Sequence, residues 1–238
     1  TFGSLSALIF KTYTSLIVGR ALEGIGLIIM MIAGPTTISI FTNQNSIAKH
    51  MGVWSAFMPL GTALSFLVAP ILIPIGGWRS VWDFSLIFSV FALAAAWLWI
   101  PKDAHSAKVK YDHKLLKRTL GQTALIWIGC IFAMHSLVFH IVLQFIPIYG
   151  LDSLGSSLLT VSYVIAGFCI LNVFGNFIAG NAIHRGIRPS HLISLHFIAV
   201  PILAALLFFP GIADDIRFIA LILGALFTSL TPSAAFTI

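Results

Sequence analysis

Apolar residues in this chain come in unbroken runs of about twenty or more, separated by short stretches that hold nearly all of the charge. A helix rises 1.5 Å per residue and needs about 20 residues to cross about 30 Å of hydrocarbon, so each run is long enough to span a bilayer. The runs cover residues 15–41, 52–75, 80–100, 123–149, 158–182, 190–209 and 216–238, with a partial one over 1–10. Lipid offers the backbone no hydrogen-bond partner, so each predicted span is a helix; a membrane β-strand would instead alternate over about ten residues. The expected fold is an all-α polytopic membrane protein with seven full spans and a partial one. The chain starts and stops inside apolar runs, which reads as an internal piece of a longer helical protein.

Composition narrows the function. Of 238 residues, 59% are hydrophobic and 8% charged, and the mean hydropathy is +1.03, which excludes both a water-soluble globule and a disordered chain. The two cysteines make no CxxC, there is no HExxH, and the eight histidines are dispersed, so no metal centre, no other cofactor and no membrane-enzyme active site is expected. Neither a ring of like charges nor a carbonyl filter loop points to a channel.

The net charge of +6 comes from thirteen Lys and Arg scattered between apolar runs, which form no continuous face for nucleic acid. They report topology instead. Loops 42–51, 101–122 and 183–189 hold Lys49, Lys102, Lys108, Lys110, Lys114, Lys117, Arg118, Arg185 and Arg188. The alternate loops hold Lys11, Arg79 and Arg217 beside Asp152, Asp214 and Asp215. By the positive-inside rule the first set is cytoplasmic and the protein lies in the cell membrane. The longest loop, 101–122, divides the chain into residues 1–100, ending one helical bundle, and 123–238, beginning another. Within it Leu115, Leu116 and Leu120 among Lys114, Lys117 and Arg118 suit either a short helix on an anionic leaflet or a solvated basic linker.

Polar residues inside spans are the candidate functional groups. Arg20 and Glu23 lie three apart on one helix face, beside Gly24 and Gly26, which permit close helix approach; they either bind charge or form an internal packing pair. Ser136, His140 and Gln144 recur every four residues and make a polar stripe, suited to a solute contact, a proton relay or bonding to a neighbouring helix. His135, about 140° round the helix from His140, is expected to join helices. Asn172 and Asn176 are again four apart and serve solute or helix packing. In the last span Pro232, among Thr228, Ser229, Thr231 and Ser233, can bend the helix, while the hydroxyls can bond their own preceding turn.

The segment GRALEGIG, with Arg20, Gly24 and Gly26, resembles the Arg-x-x-x-Gly-x-Gly signature in the fourth helix of major facilitator superfamily transporters. The next span is similar to the family's fifth-helix pattern at Gly52 and Gly61, with Ser65 and Phe66 in place of Gly-Pro and Ala69 and Pro70 in place of Gly-Gly. A Gly-Gly-Trp-Arg turn follows at 76–79, and GNAIHRGIR resembles the family's Gly-x-x-x-Asp-Arg-x-Gly-Arg loop at Gly180, Arg185 and Arg188, with His184 for Asp and Ile187 for Gly. The resemblance runs from the end of the third helix to most of the tenth. It implies two bundles around a midplane cavity lined by the spans carrying Arg20, His140 and Thr228, with the glycines and Arg185 and Arg188 in packing and gating. It further implies a monomeric secondary transporter of a small solute, working by alternating access with protons as coupling ion. Multidrug efflux is the alternative, against which the incomplete fifth-helix pattern counts.

Overall fold

A computed structural model describes residues 12–99, 121–153 and 155–237. The partial run over 1–10 and nearly all of the basic loop 101–122, with its leucines, lie outside the described residues. Helices account for almost everything described. In chain order they are α1 (Tyr13–Phe41), α2 (Ile47–Ser55) after a short 3-10 turn, α3 (Phe57–Trp99), α4 (Thr123–Ile148) running into a π-helical turn at Tyr149–Ser153, α5 (Leu158–His184), α6 (Pro189–Phe208), α7 (Asp214–Thr228) and α8 (Leu230–Ala235).

Among the described residues six helical stretches are long and apolar enough to cross a membrane, against seven full spans predicted. The difference lies in the stretch Gln44–Trp99, whose 56 residues are more than twice what one crossing needs. Gly77 divides it: its φ of 68° and ψ of −166° belong to a region essentially reserved for glycine. The Ser80 hydroxyl donates to the Leu72 carbonyl at 2.8 Å and to the Gly77 carbonyl at 2.7 Å. Eight residues of straight helix would separate positions 72 and 80 by about 12 Å, so the chain turns back on itself here. The Gly-Gly-Trp-Arg turn therefore ends one span and begins the next.

The last span is also broken. Proline has no N–H to donate, so Pro232 cannot bond the Thr228 carbonyl, and α7 ends at Thr228 before α8 resumes at Leu230.

The described residues group into two compact units, Thr1–Met30 with Ile71–Gly129, and Met31–Pro70 with Cys130–Ile238. In the first, Ile, Phe, Leu and Trp side chains along α1 and the second half of α3 stand exposed, the surface that a lipid-facing helix presents. In the second, α5 is the central element, buried along its length from Val161 to Gly180. It packs against α2, α7 and α8. Ile165, Phe168 and Cys169 of α5 meet Phe139, Val142 and Ile146 of α4 and Ala225 of α7 in one apolar core, and Ala179 joins Leu192, Leu230 and Ala234 in a second.

Candidate functional site

The polar stripe of α4 lies away from its packed face. His140 and Gln144 are exposed and Ser136 is half-buried. The Ser136 carbonyl can only accept, so His140 donates to it from Nδ1–H, at 2.7 Å, and keeps its lone pair on Nε2. His135, turned to the core, is 6% exposed, and its ring lies edge-on to His196 of α6 with centroids 5.2 Å apart. His196 in turn donates from Nδ1–H to the Phe227 carbonyl of α7 at 3.0 Å. The Nδ1 of His135 is buried and has no hydrogen-bond partner. A small chamber of about 40 Å³ adjoins the pair, lined by His135, Ser136, His140, Asn172 and Ser55 among aromatic and methionine side chains. That volume accommodates about two or three waters.

Asn172 and Asn176 face the other helices. Asn172 Nδ2 donates to the Ala225 carbonyl at 3.0 Å and to Thr228 Oγ1 at 2.8 Å. Asn176, fully buried, donates from Nδ2 to the carbonyl and to Oδ1 of Asn172, at 2.9 and 3.1 Å, and its own Oδ1 accepts from the Ser233 hydroxyl at 2.9 Å. Thr228 and Ser229 also bond their own preceding turn, to the carbonyls of Gly224 and Leu226. The ladder Ser233–Asn176–Asn172–Thr228 thus ties α5 to α7 and α8 with its amides committed to protein partners.

Below this ladder the backbones of α2 and α5 touch. A Cβ on Gly52 would lie 2.8 Å from the Gly180 Cα and the Asn176 carbonyl, and one on Gly180 would lie 2.8 Å from the Gly52 Cα and the Ala48 carbonyl. Only glycine fits at either place. At the end of α5, His184 donates from Nδ1–H to the Asn45 carbonyl at 2.6 Å, fastening α5 to the turn before α2. Arg185 and Arg188 project from this end, exposed. Gly61 faces open space.

In the other unit Arg20 and Glu23 form an ion pair along α1, and the Arg20 guanidinium stacks 4.1 Å from the centroid of the Trp82 ring. A Cβ on Gly24 or Gly26 would meet nothing within 4 Å. Among the described residues no group of three His, Cys, Asp or Glu is placed to hold a metal ion.

His196, Thr228 and Ser233 emerge as partners only in three dimensions. His196 lies in an apolar run five residues after His191, and its sequence neighbours do not single it out.

Long apolar helices, a near absence of charge inside them and exposed apolar faces define a multi-pass α-helical membrane protein. Its family follows from sequence comparison: the chain belongs to the Major Facilitator Superfamily, whose family model matches residues 1–238. Among curated proteins it is similar to the Methylenomycin A resistance protein of Bacillus subtilis (strain 168), with 27% identity over 86 residues. The match covers 34% of this chain and only 18% of that relative's length. No solved structure matches significantly.

Proposed function

We propose that this chain forms the central helices of a secondary transporter that moves a small solute across the cell membrane by alternating access, coupled to protons. Membership of the Major Facilitator Superfamily over residues 1–238 carries the reading. Residues 1–100 and 123–238 belong to two bundles joined by the cytoplasmic segment 101–122, with loops 42–51 and 183–189 on the same side. The crossing of Gly52 and Gly180, fastened by His184, is the contact that parts when the cytoplasmic side opens. Arg185 and Arg188 flank it. Ser136, His140 and Gln144 face the solute, since their side chains are not buried in the packed core. Asn172 and Asn176 hold α5 in place behind them, because their amides already have partners on α7 and α8. Arg20, stacked on Trp82, and its partner Glu23 supply the charged pair of the other bundle. The protein works as a monomer in the bilayer.

A second reading, export of a toxic compound, is favoured by the resistance protein's name. One experiment separates the two and tests the first. The intact protein is placed in liposomes with a trapped pH dye, and organic anions, sugars, amphiphilic cations and methylenomycin A are added one at a time. A narrow class that moves protons supports uptake or exchange. A broad response to amphiphilic cations or to methylenomycin A supports export. Arg20→Ala should lower the response by at least about tenfold with normal insertion; full activity would remove Arg20 from the mechanism.

A further inference from the structure

We propose that His135 and His196 form a buried proton-binding pair that couples helix separation to proton exchange. The inference rests on the transporter reading above and adds the place where the proton sits.

Charge-changing groups are scarce in this part of the protein. Among the described residues from 123 onward there is no Lys or Glu; Asp152 lies in the turn after α4, Arg185 and Arg188 follow α5, and Asp214, Asp215 and Arg217 sit in the first turn of α7. The other side chains that change charge near neutral pH are histidines, of which His184 and His191 lie at helix ends. That leaves His135, His140 and His196 inside the spans. His140 is exposed at the mouth of the chamber, whereas His135 and His196 are buried together where α4, α6 and α7 meet.

The pairing fixes where a proton can go. His196 carries its N–H on Nδ1, toward the Phe227 carbonyl, and so keeps a lone pair on Nε2. For neutral His135 the tautomer with the lone pair on Nδ1 avoids leaving a buried N–H without an acceptor. A proton delivered as hydronium adds to that nitrogen, one O–H bond of the hydronium breaking to leave water and an imidazolium forming; on release a water takes the proton back. Among the described residues no carboxylate lines the chamber. His140 and His196 are the titratable neighbours of His135 from α4 and α6, Cys169 of α5 lies in the adjoining core, and the segment from Met31 to Pro59 brings only Met, Ser, Phe and Pro to the chamber.

Burial supplies the coupling. His135 Nδ1 is shut off from solvent and has no partner, so proton exchange there waits on a change in packing around it. When α2 and the start of α3 part from α4 and α5, Ser55 and Met58 withdraw from the chamber, and water reaches the nitrogen. A charged pair then needs that water, and a neutral pair does not, so proton occupancy biases which arrangement of helices is stable.

The test uses the intact protein in liposomes with the compound panel above, comparing accumulation driven by an imposed pH gradient with solute counterflow in the absence of a gradient. His135→Gln and His196→Gln should each lower gradient-driven accumulation by at least about tenfold more than counterflow. Counterflow in either variant certifies that it folds. Gradient-driven accumulation equal to wild type in both variants overturns the pair. So does a wild-type protein that catalyses counterflow but ignores the gradient, which leaves the transporter reading standing. A wild-type protein that moves nothing in the panel by counterflow overturns that reading, and the inference with it.

Discussion

Gly52 and Gly180 meet backbone to backbone: a methyl group on either would lie 2.8 Å from the α-carbon of the other. Neighbouring side chains cannot yield, because the obstructing atoms are main chain, so a larger residue must force α2 away from α5. Overpacking of this kind costs about 1 to 3 kcal/mol, enough to shift a two-state equilibrium about tenfold. Gly180→Ala should therefore lower the yield of a cross-link between cysteines introduced at Asn45 and His184, with solute flux falling in parallel. An unchanged yield would show that the helices close without this contact.

His184 stands where the family loop has Asp, and it solves the fastening differently. A carboxylate can only accept hydrogen bonds, whereas the imidazole donates, and its acceptor is the Asn45 carbonyl. Removing one such bond is worth about 1 kcal/mol. In His184→Ala a cysteine placed at the buried Ala48 should react with a water-soluble maleimide about fivefold faster. His184→Asp should behave like the alanine variant. Protection equal to wild type in both would mean that the bond does not hold α5 to α2.

Asn176 is the hinge of the polar ladder inside the second unit. Asn176→Ala removes a donor to Asn172 and the acceptor of Ser233 together. Interhelical hydrogen bonds in membranes are individually modest, so the expected loss is about 1 to 2 kcal/mol, read as a lowered melting temperature in detergent. Asn176→Asp retains the Oδ1 acceptor of Ser233 but loses the amide donor and should melt below wild type as well.

Gly77 occupies backbone space that a side chain resists. Gly77→Ala should destabilise the protein by about 1 to 3 kcal/mol, whereas Gly61→Ala, in open space within a helix, should cost nothing or stabilise slightly. Comparable melting temperatures for the two variants would contradict the sharp reversal at 76–79.

Span limits were legible because the bilayer sets them. The predicted span 158–182 is observed as Leu158–His184, and 190–209 as Pro189–Phe208, since in each case apolar length and the flanking polar residues define the same crossing. The division at Gly77 was readable as a Gly-Gly-Trp-Arg turn. The separate settings of His135, buried, and His140, exposed, followed from helix periodicity, although both reach the same chamber. Their partners did not. Asn172 reaches Thr228 across 56 positions of sequence, and His135 meets His196 from another helix, relationships fixed by how α5, α6 and α7 pack rather than by any local spacing. The interruption at Ser229 was half visible: Pro232 announced a bend, but the carbonyl it leaves unbonded lies four residues earlier, at Thr228.

The glycine crossing also bears on how fast the molecule could work. At Gly52 and Gly180 two main chains meet with no side chain between them. Parting them strips away little dispersion energy, and rejoining them requires no rotamers to be refrozen. In the transporter reading proposed above, such a crossing closes without side chains between the two glycines, and the His184 hydrogen bond at its margin adds to its grip. Turnover could then be tuned through the margin while the crossing itself stays the same.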